Sequence, residues 1–179
     1  ILSTLIAGPE VGVLLLVLRL VGMPMGLVGS SISQVYSVEL GKKSNEKHVK
    51  KITFDLMKQL FIYGSIGLTT ISLIIFFGSE IIFGSDWQGV GEMIFLFLPW
   101  YIFQLIASPV SIVLLAENYF HRSLLLQIFG AALRIFPLLF FSSFQFIGPI
   151  ELFAICGFIF YVIYCVTIAI TLKSLKSQQ

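Results

Sequence analysis

The sequence has few charged residues. Of its 179 residues, only 11% are charged and 58% are hydrophobic, and the mean hydropathy is +1.01. An average soluble domain is roughly 45–50% apolar and about 25% charged. A soluble fold could not bury this much apolar surface, so the composition excludes an ordinary globular domain. Because a membrane span takes about 20 residues, the length predicts about five spans joined by short connections.

Cysteine and histidine are also scarce, with two of each. Cys156 and Cys165 lie in one apolar stretch, and their spacing places them on opposite faces of a helix at about 100° per residue. They cannot pair within that helix, and two thiols do not make a metal site, so we interpret both as small core residues. His48 and His121 lie in predicted cytoplasmic loops away from both cysteines, which excludes a nucleophilic triad.

The chain opens in mid-hydrophobic sequence without Met, a basic segment or a cleavage site, so it has no recognisable signal peptide. We interpret residues 1–8 as the stub of a preceding helix, ended by Gly8 and Pro9. The chain is then expected to be a fragment that lacks an upstream lobe. The predicted spans cover about 11–37, 54–83, 90–116, 122–142 and 150–172.

The formal net charge of +2 is too small to argue for a nucleic-acid partner, but the basic residues are unevenly distributed. One predicted loop contains Lys42, Lys43, Lys47, Lys50 and Lys51, and the last span is followed by Lys173 and Lys176. Under the positive-inside rule both segments are cytoplasmic.

Alternation of the spans then places the other connections. The turns around Asp86 and Phe146 fall outside, whereas His121 and Arg122 fall inside, so every loop with a Lys or Arg is cytoplasmic. This topology predicts a multi-pass protein with a cytoplasmic C-terminus. The first span then begins outside, which requires an upstream partner helix.

Arg19 lies deep in the first span, where a charge costs at least about 2.5–3.5 kcal/mol and persists mainly when it faces protein or water. Helical periodicity aligns small and polar residues with it: Gly22, Gly26, Ser30, Ser33 and Gln34. We call this set the Arg19 stripe. Its Gly22–Gly26 spacing predicts a close contact with a neighbouring helix. Pro24, on another face, predicts a kink.

A second stripe lies in the fourth span, where the same count aligns Ser123, Gln127, Gly130 and Ala131 with Arg134. We call it the Arg134 stripe. The third span adds a partly polar face of Gln104, Ser108 and Ser111, near Trp100 and Tyr101. Three such faces predict a shared hydrated cavity that binds an anionic substrate. The candidate site residues are Arg19, Arg134, Gln34, Ser30, Gln104 and Gln127. The alternative is that each arginine pairs with a structural carboxylate or extends to an interface.

The carboxylates lie near predicted helix ends, where solvated or capping roles are expected: Glu10, Glu80, Asp86, Glu92, Glu117 and Glu151. Pro99, Pro109 and Pro137 predict bends where helices could flex during transport.

A family resemblance is carried by two stretches, LRLVGMPMGLVGSSISQVYSVEL and, after the basic loop, LIIFFGSEIIFGSDWQGVGEMIFLFLPWYIFQLIASPVSIVL. They resemble the O-antigen and capsular polysaccharide flippases of the multidrug/oligosaccharidyl-lipid/polysaccharide exporter superfamily. In that family a helix that contains Arg, then Pro, then Gly, Ser and Gln precedes a basic cytoplasmic loop. A turn on the outer side of the membrane, which contains Trp, then leads to a helix that contains Ser-Pro. The match covers about residues 1–142.

The resemblance implies an all-α, MATE-like bundle of two lobes, of which this chain supplies most of the second. It implies a non-enzymatic flippase without a cofactor, in the bacterial inner membrane. The substrate and partner would be an undecaprenyl-diphosphate-linked oligosaccharide for O-antigen or capsule synthesis, and the first lobe of the same protein would be the other partner besides membrane lipids. By the same resemblance the diphosphate-binding role goes to Arg19 ahead of Arg134.

Two rival functions remain open from the sequence, besides a purely structural membrane subunit. A drug or cation exporter of the same superfamily would favour acidic residues in its cavity, whereas the deep residues here are arginines. A membrane glycosyltransferase or polymerase would need an acidic metal motif or a large catalytic loop, and the longest predicted loop, about 39–53, is mostly Lys, Asn and Ser.

Overall fold

The computed structural model describes residues 9–42, 46–84, 87, 89–116, 120–140 and 148–174. This part of the chain is all-α, as predicted, and forms a polytopic helix bundle. Its helices are α1 (Pro9–Gly41), α2 (Glu46–Phe83), α3 (Val90–Val110), α4 (Ile112–Ala116), α5 (Phe120–Phe140) and α6 (Pro149–Ser174). The predicted stub at 1–8 and the turns around Asp86 and Phe146 lie outside the described residues.

The helices have the length and composition of membrane spans. Within the described residues, four segments are long and apolar enough to cross a membrane: Val11–Gly41, Lys47–Phe83, Val90–Leu114 and Pro149–Lys173. The fourth predicted span falls on α5, whose 21 residues rise about 32 Å, close to the roughly 30 Å of a hydrocarbon core.

Large apolar side chains lie on the outside of the bundle. Leu27, Phe77 and Ile81 are 72%, 77% and 89% exposed, which water would not tolerate in quantity but lipid favours. The protein is therefore a multi-pass membrane protein.

The first two helices are longer than predicted. The sequence predicted a polar loop over about 39–53, but α1 continues to Gly41 and α2 begins at Glu46. The reason is that Glu and Lys are good helix formers that need no membrane burial, and Val49 and Thr53 are buried on the inner face of this extension. Tyr36 and Thr53 join the two helices there through a 2.5 Å hydrogen bond between their hydroxyl groups.

The third predicted span, about 90–116, corresponds to the apolar segment Val90–Leu114, which contains one short interruption. Helix α3 ends at Val110, Ser111 forms a turn, and α4 follows. Pro109 lies just before this turn, and proline lacks a backbone N–H and crowds the turn that precedes it. The interruption is slight, because Ser111 keeps helical backbone angles (φ −56°, ψ −25°) and its N–H still bonds the Ala107 carbonyl at 2.9 Å. By contrast α1 and α3 continue through Pro24 and Pro99, while the side chain of Pro137 lies outside the described residues.

Helix α3 is the centre of the bundle and packs against α1, α2 and α6. As α3 is followed from its start to its end, its contacts also move forward along α1 and along α6, so these three helices are parallel. For α1 the pairs are Trp87–Gly12, just before α3, and Ser108–Gly29. For α6 the pairs are Phe97–Phe153 and Trp100–Tyr161.

Helices α2 and α5 run the other way. Helix α2 is antiparallel to α3, because later residues of α3 contact earlier residues of α2 in the pairs Gly91–Phe76 and Leu105–Gly64. Helix α5 is antiparallel to α6 for the same reason, as the pairs Arg122–Thr171 and Arg134–Tyr161 show. Basic residues therefore gather at one end of the bundle. That end contains Lys42, Lys47, Arg122 and Lys173, together with Glu39 and Asp55, and the other end contains Glu80, Glu92 and Glu151. We call the first the basic end.

Two glycines let the helices approach closely. A Cβ on Gly157 of α6 would overlap the Trp100 ring of α3, and a Cβ on Gly130 of α5 would overlap the Phe160 ring of α6. In water, hydrophobic burial drives helices together. Lipid is as apolar as the helix faces, so in a membrane helix association depends largely on the close packing that small residues allow. They also bring Trp100, Phe160 and the Arg134 stripe together.

Candidate functional site

Arg134 lies in a box of aromatic rings. Its guanidinium carbon is 5.9 Å from the ring centre of Trp100, 5.5 Å from that of Phe160 and 5.9 Å from that of Tyr161. A cation over an aromatic face is attracted by the negative charge of the π-system, more strongly where water is excluded. In addition, Arg134 Nη2 donates a 3.2 Å hydrogen bond to the Tyr161 hydroxyl. The rings hold the cation in place without neutralising it.

The box is at mid-height in the bundle. Trp100 lies at the centre of α3, and Tyr161 lies at the centre of α6. Both helices are long and apolar enough to cross a membrane, and a bilayer that they span would have the charge of Arg134 near its middle. This position does not favour the predicted alternative in which Arg134 extends to the membrane surface.

Arg134 opens onto a cavity of about 380 Å³, which is within the range of pockets that hold small ligands or headgroups. Its walls come from the α3–α4 junction, α5 and α6: Ala107, Ser108, Ser111, Gln127, Gly130, Ala131, Arg134, Phe160, Tyr161 and Tyr164. One wall is formed by aromatic rings, and the other presents hydroxyl and amide groups. The cavity therefore combines one cation with several neutral hydrogen-bonding groups.

The second predicted alternative, a structural carboxylate paired with Arg134, is not found within the described residues. The ion pair that the structure shows there joins Lys42 to Glu39, at the basic end. No carboxylate of the described residues lines the cavity, and Arg134 Nε is buried without a hydrogen-bond partner among them. A guanidinium N–H in an apolar site is costly to leave unpaired. The site is thus chemically matched to an anion that would accept from it.

The Arg19 stripe has a different environment. The opposite face of α1, with Val17, Val21 and Gly29, is buried against the bundle, whereas Arg19, Ser30 and Gln34 are exposed. Ser30 Oγ donates back to the Leu27 carbonyl at 2.9 Å. The structure therefore separates the Arg19 stripe from the Arg134 cavity, which differs from the predicted shared cavity. The anion-binding role of Arg19 stays a prediction.

The predicted contact at Gly22 and Gly26 is not formed by the helices that the structure describes. No atom lies within 4 Å of a Cβ built at either position. The glycine of α1 that does face a neighbour is Gly29, where a Cβ would lie 3.7 Å from Ser108 Oγ.

The third predicted face is divided. Ser108 and Ser111 line the cavity opposite residues of α5. Gln104 is half-buried and is not part of the cavity wall. Of the six candidate residues, the structure brings Arg134 and Gln127 together and leaves Arg19, Ser30, Gln34 and Gln104 elsewhere.

Sequence reasoning missed the contribution of α6. Phe160, Tyr161 and Tyr164 share one helix face and supply the aromatic wall and two hydroxyls. A signal was present, because tyrosines with polar tips at the centre of a span need partners. By hydropathy alone, the tyrosines do not stand out against the apolar residues of the last span.

Among the described residues, the other candidate metal ligands, cysteines and carboxylates form no second functional site. Within the described residues, no cluster of three His, Cys, Asp or Glu side chains could hold a metal ion. Cys156 and Cys165 are both free and buried. Glu80, Glu92 and Glu151 are exposed at helix ends, in accord with solvated roles, and the side chains of Glu10, Asp86 and Glu117 lie outside the described residues.

No model of a known protein family, no curated protein and no solved structure matches this chain significantly. The chemistry of the Arg134 cavity and the resemblance in the sequence are therefore the two indications of function.

Proposed function

We propose that this protein is a transporter that moves an anionic, lipid-linked saccharide across the membrane. The observation that carries the proposal is the mid-height position of Arg134, a cation without a carboxylate partner in the described residues, beside a cavity with hydrogen-bonding walls. Charged residues inside membrane bundles commonly mark a substrate path, because their insertion cost is otherwise not recovered.

A phosphate group suits this cavity better than a neutral solute does. The planar guanidinium can donate two parallel hydrogen bonds to phosphate oxygens. Ser108 and Gln127 can then donate to the remaining oxygens or to sugar hydroxyls. Tyr161 and the aromatic rings keep the guanidinium oriented while the site is empty.

The resemblance to polysaccharide flippases supplies the finer proposal. The substrate is an undecaprenyl-diphosphate-linked oligosaccharide for O-antigen or capsule synthesis, and the membrane is the bacterial inner membrane. The basic end of the bundle and the C-terminus are cytoplasmic under the positive-inside rule. A first lobe of the same protein closes the path from the other side. The chain carries out no covalent chemistry in this proposal.

The rival cation exporter is less well supported. A site for a cation would be lined by carboxylates, whereas the part of this cavity wall that the structure describes contains none and includes an arginine. A buried positive charge would repel a cation strongly at low dielectric.

The experiment is a flipping assay in proteoliposomes that contain the complete protein and a fluorescent lipid-linked oligosaccharide. Arg134→Ala is expected to reduce the flipping rate at least about tenfold, because it removes the charge, and Arg134→Lys to keep part of it. Arg19→Ala makes the same substitution at an arginine that does not line the cavity. Flipping near the parental rate is expected if Arg134 holds the substrate, whereas a similar loss would support the role that the resemblance predicts for Arg19. Protein amounts in the vesicles are measured alongside. Parental flipping by normally inserted Arg134→Ala protein would refute the proposal.

A further inference from the structure

We propose that the indole N–H of Trp100 is a second donor to the phosphate of the substrate, beside the guanidinium of Arg134. This inference rests on the proposed function, because it concerns the same site. The observation that suggests it is that Trp100 Nε1 and Arg134 Nε are both buried without a hydrogen-bond partner among the described residues. Native proteins leave few buried polar atoms unpaired, so each of these atoms requires an explanation.

The two groups are close neighbours at mid-height in the bundle. The guanidinium carbon of Arg134 is 5.9 Å from the centre of the Trp100 ring. The indole is 6% exposed and packs tightly on α6, where carbons of its six-membered ring are the atoms nearest to a Cβ built on Gly157. Nε1 belongs to the five-membered ring and is not among those atoms. A ring held in this way presents its N–H at a fixed place beside Arg134.

Both groups are donors only. An indole N–H and a guanidinium N–H cannot accept a hydrogen bond, so neither can satisfy the other, and a partner for either has to be an acceptor. The Ser65 and Tyr101 hydroxyls are also buried without a partner in the described part of the chain, but a hydroxyl can accept as well as donate. They therefore do not call for an acceptor in particular, whereas Trp100 and Arg134 do.

A phosphate meets this requirement. It carries several strong acceptor oxygens, so one phosphate group can accept from both N–H groups at once. Hydrogen bonds in which one partner is charged are also stronger than neutral ones. A buried water molecule is the competing occupant, since water accepts hydrogen bonds as well. A titration with diphosphate distinguishes the two occupants.

Access to Trp100 runs past Arg134. Arg134 lines the cavity, whereas Trp100 contacts Arg134 without lining the cavity itself. Ring contacts and the hydrogen bond to Tyr161 hold the guanidinium, and no ion pair within the described residues fixes it. It can therefore turn toward an anion in the cavity. An anion that draws the guanidinium outward then reaches the Trp100 N–H as well.

The first test removes the N–H and keeps the shape of the ring. In the complete protein, Trp100→benzothienylalanine replaces the N–H by sulfur, and binding is measured by the fluorescence anisotropy of labelled undecaprenyl diphosphate. This variant is expected to bind at least about tenfold more weakly, since it loses a hydrogen bond to a charged group. Trp87→benzothienylalanine is the matched control. Trp87 packs near Gly12 and does not line the cavity, so a change of less than about twofold is expected.

The second test observes the N–H directly in the unchanged protein, so it does not depend on how a variant folds. With isotopically labelled tryptophan, the indole N–H resonance that is absent in Trp100→benzothienylalanine belongs to Trp100. This resonance is expected to move downfield in a saturable way with undecaprenyl diphosphate, because its proton enters a hydrogen bond to an anion. It is expected to stay in place with uncharged undecaprenol.

The outcomes separate this proposal from the proposed function. Parental affinity in Trp100→benzothienylalanine, together with a loss of affinity in Arg134→Gln, would refute the Trp100 donor and leave the proposed function intact. Parental affinity in both variants would refute both. A Trp100 resonance that does not move at saturating diphosphate would show that the N–H binds water or only packs, and would overturn the proposal as well.

Discussion

The Arg19 and Arg134 stripes look alike along the chain and differ in space. Each aligns an arginine with small and polar residues on one face of a membrane helix. The Arg134 stripe faces the aromatic wall of α6, while the Arg19 stripe is exposed outside the helices that the structure describes. Helical periodicity thus identifies a face that is unsuited to lipid, but it does not say what that face contacts. Matched substitutions on the two stripes therefore distinguish the face that contacts another described helix from the face that does not.

The largest difference is expected for the glycines. Gly130→Leu forces a side chain into the Phe160 ring, whereas a Cβ at Gly26 meets no atom within 4 Å. Overpacking costs about 1–3 kcal/mol or more, while an exposed substitution stays within about 0.5 kcal/mol. Thermal unfolding of the purified chain in detergent measures both.

Gly130→Leu is expected to unfold at a clearly lower temperature than the parent, and Gly26→Leu at the parental temperature. The reverse order would mean that the Arg19 stripe is the packed one. Gly130→Ala is a milder version, for which a smaller loss is expected because only the Cβ is added.

A smaller difference is expected for the glutamines. Gln127→Leu removes a hydrogen-bonding group from the cavity wall, and Gln34→Leu makes the same change on the exposed face of α1. A typical hydrogen bond contributes about 0.5–1.5 kcal/mol, so flipping by Gln127→Leu is expected to slow roughly two- to tenfold. Flipping by Gln34→Leu is expected to stay near the parental rate in the same vesicle assay. Equal slowing by both would place the Arg19 stripe on the substrate path too.

The all-α membrane bundle could be predicted from the sequence because apolar runs of span length allow few other structures. Helix ends were harder to predict. The lysine segment before Thr53 looks like a loop by hydropathy, but outside the membrane a charged helix is stable when Val49 and Thr53 pack inward. The interruption at Ser111 could be expected near Pro109, whereas the place of Ser108 and Ser111 in the cavity wall beside α5 depends on tertiary packing.

The candidate site was predicted in part. Arg134 and Gln127 were identified because a charge and an amide in a span are expensive and conspicuous. The aromatic box was not, because Phe160 and Tyr161 are inconspicuous in an apolar helix and approach Arg134 only through the glycine contact at Gly130. Which helix covers which stripe follows from such contacts between distant segments.

The most direct measurement uses the fluorescence of Trp100, which lies beside Arg134 and is one of two tryptophans. Trp87→Phe leaves Trp100 as the single reporter, and undecaprenyl diphosphate is the probe, with uncharged undecaprenol as its control. The account predicts a saturable change in Trp100 emission with the diphosphate alone. That change should require at least about tenfold more diphosphate in Arg134→Gln, since charge-assisted hydrogen bonds are lost, and be unaltered in Arg19→Gln. An unchanged titration in folded Arg134→Gln protein would contradict the account.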